Sequence, residues 1–307
     1  MNAKRIASFL PSATEILYEI GAGDDIVCVT HECDYPEKAK SKPRVIHSSF
    51  DASAMNSKEI DGQVVKLMQT GGDIYLLDEQ VLKKADPDLI VAQGLCEVCS
   101  PTTKEINKAV SILNEKPEVV ILDPHNLDDI LSDILKIAQH VGKKAEAQNV
   151  VGSLQKRIEY VKNRSFKSRP KVLCIEWLDP LFTAGHWVPQ MIEIAGGING
   201  ISVTSQPSRK MNLDEALSFD PDIIVLMPCG FDIDRIRQEY SKLASSNEWK
   251  LLRAVQEDKV FAVDANSYFS KPGPRTVTGI EILAKIIHPE MFVDLSIPAD
   301  SMMQIIS

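Results

Sequence analysis

An Asp-Pro-Asp triplet followed by an apolar run occurs twice, as Asp86-Pro87-Asp88-Leu89-Ile90-Val91 and as Asp220-Pro221-Asp222-Ile223-Ile224-Val225. A second echo runs in the same order: Glu19-Ile20-Gly21-Ala22-Gly23 returns as Glu193-Ile194-Ala195-Gly196-Gly197. Asp-Pro-Asp by itself is ordinary turn chemistry. Two echoes in one order, each preceded by a strand-like run, point to a duplicated structural unit. A chain built this way is expected to fold as two related lobes, and 307 residues suit two domains of common size.

Short β-rich runs alternate with helical patterns, which predicts an α/β fold with mostly parallel sheets. Strand candidates are Ile6–Leu10, Ile26–Thr30, Ile74–Leu77, Leu89–Gln93, Val119–Leu122 and Val172–Trp177. The first helix opens on Ser12-Ala13-Thr14-Glu15, a capping-box pattern, and stops at Gly21 and Gly23. Between Lys143 and Arg164, Val150, Val151, Leu154, Ile158 and Val161 recur at steps of three and four, which predicts one long helix. The chain then divides into an N-terminal α/β lobe (1–142), a connecting long helix (143–168), a C-terminal α/β lobe (169–290) and a tail (291–307) whose apolar end is expected to pack on a neighbour.

In open α/β sheets ligands sit outside the carboxyl ends of the strands, so the segments after each strand are expected to line one shared cleft. Those segments hold Ser12, His31, Tyr35, Glu176, Trp177, His186, Trp187, Phe231, Tyr268 and Arg275, the candidate ligand-binding residues. Trp177, Trp187, Tyr35, Phe231 and Tyr268 could wall a large flat ligand. His31 and His186 could ligate a metal or move a proton. Arg275, in a Pro-Gly-Pro-Arg turn, could anchor a carboxylate, amide or phosphate. His125 reads as a residue opening a helix, and His47, His140 and His288 read as surface or structural. Cys28 and Cys174 lie inside apolar runs and read as buried small hydrophobes.

Cys96-Glu97-Val98-Cys99 has C-x-x-C spacing, which fits a redox pair, half a zinc site or part of an iron–sulfur ligand set. Cys229 follows the matching strand of the other lobe and Cys33 follows a third. Cys33, Cys96, Cys99 and Cys229 are therefore candidate ligands for a soft metal. No Walker loop, G-x-S-x-G or H-E-x-x-H occurs. A net charge of −9 argues against nucleic acid as a partner. The apolar run Ile6–Leu10 is too short for a secretory leader and no run reaches a membrane span, so the expected location is cytoplasmic.

With Ser8–Glu15, His31-Glu32-Cys33-Asp34-Tyr35-Pro36, Glu176-Trp177-Leu178-Asp179-Pro180, Gly185-His186-Trp187 and Pro272-Gly273-Pro274-Arg275 in view, the chain resembles the cobalamin and iron-siderophore class of ABC-transporter substrate-binding proteins. It resembles more nearly a leaderless, cobalamin-binding-like branch of that class. The resemblance implies two Rossmann-like lobes joined by one long backbone helix. It also implies binding of a cobalamin-like corrinoid or other metal chelate between the lobes, with His31 or His186 near the metal and no catalysis. The alternatives are a cytoplasmic metal- or iron–sulfur-dependent enzyme or redox protein with a Cys/His-lined cleft, and an exported receptor whose leader is missing. Receptors of this class dock on their permease through an acidic residue ahead of each Asp-Pro strand. Asp214 fills that position in the second lobe, but Gln80 fills it in the first, which counts against docking to an ABC permease.

Overall fold

The computed structural model describes residues 4–94 and 103–306. It contains two compact units. One comprises Met1–Met55, Gly62–Pro124 and Asp128–Ser153; the other comprises Asn56–Asp61, His125–Leu127 and Leu154–Ser307. The chain passes from the first to the second inside the helix Lys144–Lys162. Among the described residues no helix is long and apolar enough to cross a membrane.

The first unit holds a six-stranded sheet of β1 (Ile6–Ser8), β2 (Ile26–Thr30), β3 (Arg44–Ser48), β4 (Tyr75–Leu77), β5 (Leu89–Gln93) and β6 (Glu118–Leu122). Its order is β4-β3-β2-β1-β5-β6, and every pairing is parallel except β3 with β4. The second unit holds β7 (Val172–Leu178), β8 (Leu181–Thr183), β9 (Ile223–Leu226), β10 (Val260–Val263) and β11 (Met302–Ile305) in the order β11-β10-β9-β7-β8. Here β7, β9 and β10 run parallel, with β8 and β11 as antiparallel edges. Central strands such as β5 and β9 are buried along their whole length, as parallel strands covered on both faces must be. The tail thus contributes an edge strand, and Asp264 N–H donates to the Ser301 carbonyl just ahead of it.

The sequence echoes are structural equivalents down to single hydrogen bonds. Asp86 and Asp220 both close a seven-residue helix in the left-handed region, with φ of 41° and 48°. Asp tolerates that conformation better than most residues because its short polar side chain bonds locally. Asp88 then accepts from the Arg5 N–H (3.1 Å) as Asp222 does from the Lys171 N–H (2.7 Å). Returning the bond, the Asp88 and Asp222 N–H groups donate to the Arg5 and Lys171 carbonyls. The basic side chains finish the motif: Arg5 donates to the Ala85 carbonyl, and Lys171 Nζ to the Phe219 carbonyl, so the last helix carbonyls are satisfied. Burial works against ionisation of Asp222, but the Lys171 N–H and Arg253 hold its carboxyl below the usual range.

The second echo recurs with a shift of one residue. Gly21 and Gly196 follow their helices at φ of 73° and 86°, and the Ala22 and Gly197 N–H groups reach back to the Leu17 and Ile192 carbonyls. The first helix differs from expectation at its start. It spans Pro11–Glu19 with Leu10 as N-cap and no side-chain cap, so Ser12 and Glu15 lie inside the helix rather than forming a capping box. Proline supplies the first turn instead, since its missing N–H costs nothing there.

Candidate functional site

The strand exits of the second unit carry the densest chemistry. Strand β7 delivers Glu176 and Trp177, and the segment after β8 delivers Gly185-His186-Trp187. Glu176 Oε2 accepts from the Gly185 N–H (3.1 Å), tying these two segments together. His186 sits at φ 53°, donates its N–H to the Gln206 carbonyl (2.6 Å) and accepts at its own carbonyl from Ser205 (2.9 Å). A non-glycine residue at positive φ is strained and held there by its surroundings.

Gly185 is required by close approach. A Cβ there would lie 2.3 Å from the Ser208 backbone nitrogen and 2.8 Å from the Gln206 carbonyl oxygen, and neither can step aside. Gly185→Ala is expected to destabilise the protein by about 2 kcal/mol, typical of forced overpacking. Thermal unfolding followed by circular dichroism checks this; an unchanged midpoint would refute it.

The imidazole of His186 stacks on the Trp187 indole (ring centroids 5.6 Å, 30° between planes) and faces the His125 ring at 6.4 Å. The segment carrying His125 is anchored where the Leu127 N–H donates to Gln190 Oε1 (3.0 Å). Sequence reasoning placed His186 among the candidates and set His125 aside; its position just past β6 was the available signal. Trp187 is only 5% exposed and its Nε1 donates to the Phe269 carbonyl (3.0 Å). Phe231 is 2% exposed and belongs to the hydrophobic core of its unit. Reading these two as ligand walls is therefore corrected: each backs a neighbour. Trp187 supports His186. Phe231 packs edge-on to Trp177 (5.3 Å) and carries the Arg235 guanidinium 3.9 Å above its ring.

Trp177 is partly exposed, with Nε1 donating to the Ser57 carbonyl (3.2 Å). Tyr268 and Arg275 are also partly exposed, and the guanidinium lies 5.8 Å from the Tyr268 ring centre. In the first unit, His31 follows β2 with its Nδ1 buried and lacking a hydrogen-bond partner, its ring 6.2 Å from Tyr75. Tyr35 is exposed and Ser12 is buried.

Of the four thiols in the expected soft-metal set, Cys33 and Cys229 are described. Cys96 and Cys99 lie outside the described residues. Cys33 is fully buried, and its sulfur lies 3.1 Å from Thr14 Oγ1, which donates to it, and 3.3 Å from Thr30 Oγ1. Cys229 is partly exposed, and its N–H donates to the Glu176 carbonyl. Among the described residues, no group of three or more His, Cys, Asp or Glu side chains is placed to hold a metal. Burial raises both core thiols, Cys28 to about 12 and Cys174 further still, which keeps them protonated and inert.

A family model described as periplasmic binding protein matches residues 6–267. The chain is similar to the vitamin B12-binding protein of Vibrio cholerae serotype O1 (strain ATCC 39541 / Classical Ogawa 395 / O395). The two are 23% identical over 286 residues, which is 91% of this chain and 87% of that protein. An uncharacterized ABC transporter substrate-binding lipoprotein of Bacillus subtilis (strain 168), YvrC, is 24% identical over 299 residues, 94% of this chain and 81% of that one. Among solved structures, the periplasmic heme-binding protein RhuT from Roseiflexus sp. RS-1, in apo form, superposes with a TM-score of 0.69 at 19% identity. It covers 94% of this chain and 99% of its own.

These relatives overturn the cytoplasmic expectation, because the matched family is periplasmic and one relative is a lipoprotein, which points outside the cytoplasm. That expectation rested on the opening residues and the absence of an apolar span alone. Gln80 likewise gives no ground for doubting a permease partner. The helix it lies on, Glu79–Ala85, has Asp78 as N-cap and Glu79 in its first turn, and its equivalent Leu213–Phe219 begins with Asp214 and Glu215. With the family model spanning most of the chain and two lobes built on one repeated motif, the chain belongs to the periplasmic binding protein family.

Proposed function

We propose that this protein is the cargo-binding component of an ABC importer, and that its cargo is a corrinoid or related metal chelate held without chemical change. The observation that carries this reading is that Trp177 near the end of β7, His186 past β8, and Tyr268 and Arg275 in the segment past β10 are all partly exposed in one unit, while His31 and Tyr35 follow β2 in the other. Strand exits are where open α/β sheets take ligands. Aromatic rings cover flat apolar surface, and a guanidinium pairs with peripheral carboxylates or amides. The B12-binding and heme-binding names of its relatives fit that cargo class.

Titration of the purified protein with aquocobalamin and with hemin, read by visible absorbance and calorimetry, tests the proposal. Saturable one-site binding of one of them at micromolar or lower concentration is expected. No heat and no spectral change with either at high micromolar ligand would sink it.

A further inference from the structure

We infer that the last turns of the helix Lys144–Lys162, with the segment that runs from it into β7, form a docking surface for a bilayer of anionic phospholipid.

The chain carries a net charge of −9, yet Lys156, Arg157, Lys162, Arg164, Lys167, Arg169 and Lys171 crowd one short stretch that holds a single carboxylate, Glu159. Three of these cations have internal duties. Arg157 grips Glu281, Arg169 donates to the Glu193 carbonyl and Lys171 to the Phe219 carbonyl. The other four, Lys156, Lys162, Arg164 and Lys167, are exposed, and none pairs with a carboxylate. Elsewhere Lys4, Arg44, Arg209 and Arg253 each hold one. Cations at a helix C-terminus also complement its dipole. That accounts for Lys162 and its neighbour Arg164, but not for Lys156, nearly two turns earlier, nor for Lys167 beyond the helix end.

The surface is held in place by rings. Phe166 stacks on the buried His288 at 4.7 Å and lies 6.4 Å from Phe292, which Tyr160 meets edge-on at 6.4 Å. The Arg164 guanidinium lies 4.4 Å above the Tyr160 ring. Lys156, Glu159, Tyr160, Asn163 and Arg164 line an open groove of about 440 Å³. Apolar groups stand exposed on the same structure: Tyr160 at 42%, Val293 beside Phe292 at 68%, and Ile198 at 43%. The Ile198 N–H donates to the Pro170 carbonyl (2.8 Å), which ties it to the basic segment. Cations interleaved with exposed aromatic and aliphatic tips are what a bilayer interface accepts, phosphates meeting the charges and the tips entering below them.

The spread of charge selects a plane of phosphates over one bound phosphate. Lys156 and Lys162 are about 9 Å apart along the helix axis, so they do not converge on a point. The helix presents its negative end here, which opposes a single compact anion. The remaining acidic surface is screened over about 10 Å, so the local charge governs contact. Docking at this end also leaves cargo binding free: Trp177 lies about 17 Å along β7 from Val172, where the segment enters the strand.

The test uses the full chain and vesicles of phosphatidylglycerol and phosphatidylcholine in equal parts, read by co-sedimentation. Binding is expected at about 0.1 M salt, at least about tenfold weaker on pure phosphatidylcholine, and lost at about 1 M salt. The variant Lys156→Gln, Lys162→Gln, Arg164→Gln, Lys167→Gln should bind at least about a hundredfold more weakly, each cation near an anionic surface being worth about fivefold. A control, Lys58→Gln, Lys66→Gln, Lys83→Gln, Lys84→Gln, removes equal charge from exposed positions outside this surface and should bind as wild type does. Val293→Glu, which puts a charge where an apolar tip enters the interface, should weaken binding about tenfold. Inorganic phosphate should not compete when ionic strength is held constant. Competition by it would reduce the surface to a phosphate site and overturn the inference. So would no vesicle binding, equal binding to both lipid compositions, equal loss in the two quadruple variants, or binding to polyphosphate without binding to vesicles.

Discussion

Arg157→Met is expected to destabilise the protein by about 3 kcal/mol, although the residue sits on a helix that sequence reasoning treats only as a connector. Arg157 Nε and Nη2 grip both carboxylate oxygens of Glu281 at 2.8 and 2.6 Å, and Nη2 also donates to Thr278 Oγ1 at 2.8 Å. Glu281 is 6% exposed, so removing the guanidinium leaves a carboxylate in the core without its counter-charge. Breaking a buried pair in this way costs about 3–5 kcal/mol; the lower figure applies because the Arg157 side chain keeps 36% of its surface in water. The double variant Arg157→Met, Glu281→Met should regain most of the loss, since well-packed apolar side chains often replace a buried ion pair at little cost. Urea unfolding of wild type, both single variants and the double variant closes the cycle. A coupling energy below about 0.5 kcal/mol would reduce the pair to an ordinary surface contact.

Much of the fold was legible because the signals were local. The Asp-Pro-Asp turns announced β5 and β9, and the structure shows why: the proline follows a left-handed aspartate, and the next aspartate binds the backbone ahead of β1 or β7. Strands β3, β8 and β11 were not read. Arg44–Ser48 has three polar residues in five, Leu181–Thr183 spans three, and Met302–Ile305 is an antiparallel edge whose partner lies some forty positions back. None of these has the buried apolar run that betrays a central parallel strand. The capping box failed for a similar reason: Pro11 took the first turn and carried Ser12 into the helix.

The site was legible as a set of loops and less so as individual roles. Spacing along the chain places Glu176 and Trp177 at the end of a strand and His186 and Arg275 beyond strands, which is topology. It could not say that Trp187 would face inward to support His186, because a Gly-His-Trp loop gives no periodicity from which to assign faces. Cys33 shows the same limit. Its position past β2 suggested a ligand, and the structure spends its sulfur on two threonine hydroxyls. His125 was passed over because it follows a proline and precedes a helix, a setting in which polar residues are usual.

Asp133→Asn is expected to stabilise the protein at pH 8 by about 4 kcal/mol at most and to leave it unchanged near pH 3. Asp133 lies on the helix Leu127–Val141 among Ile130, Ile134 and Ile137, a carboxyl on an apolar stripe. It is 7% exposed, and its Oδ2 has no hydrogen-bond partner. Burial raises its pKa from 3.8 to about 7, opposed by Lys136 and reinforced by Asp129 and Asp123. A carboxyl raised in the folded state keeps its proton where the unfolded chain has lost it. Its contribution to stability is therefore complete below the unfolded pKa and drains away as pH climbs from about 4 to about 7. Every tenfold difference in proton affinity between the folded and unfolded chain is worth about 1.4 kcal/mol, which sets the ceiling. Asparagine has no proton to lose, so the variant should lack this part of the slope while every other titrating group contributes equally to both proteins. Urea midpoints of the two at pH 4, 6 and 8 should diverge steadily with pH. Parallel curves across that range would mean that Asp133 is hydrated in the folded protein, and that the apolar stripe on this helix is open to water where the structure closes it.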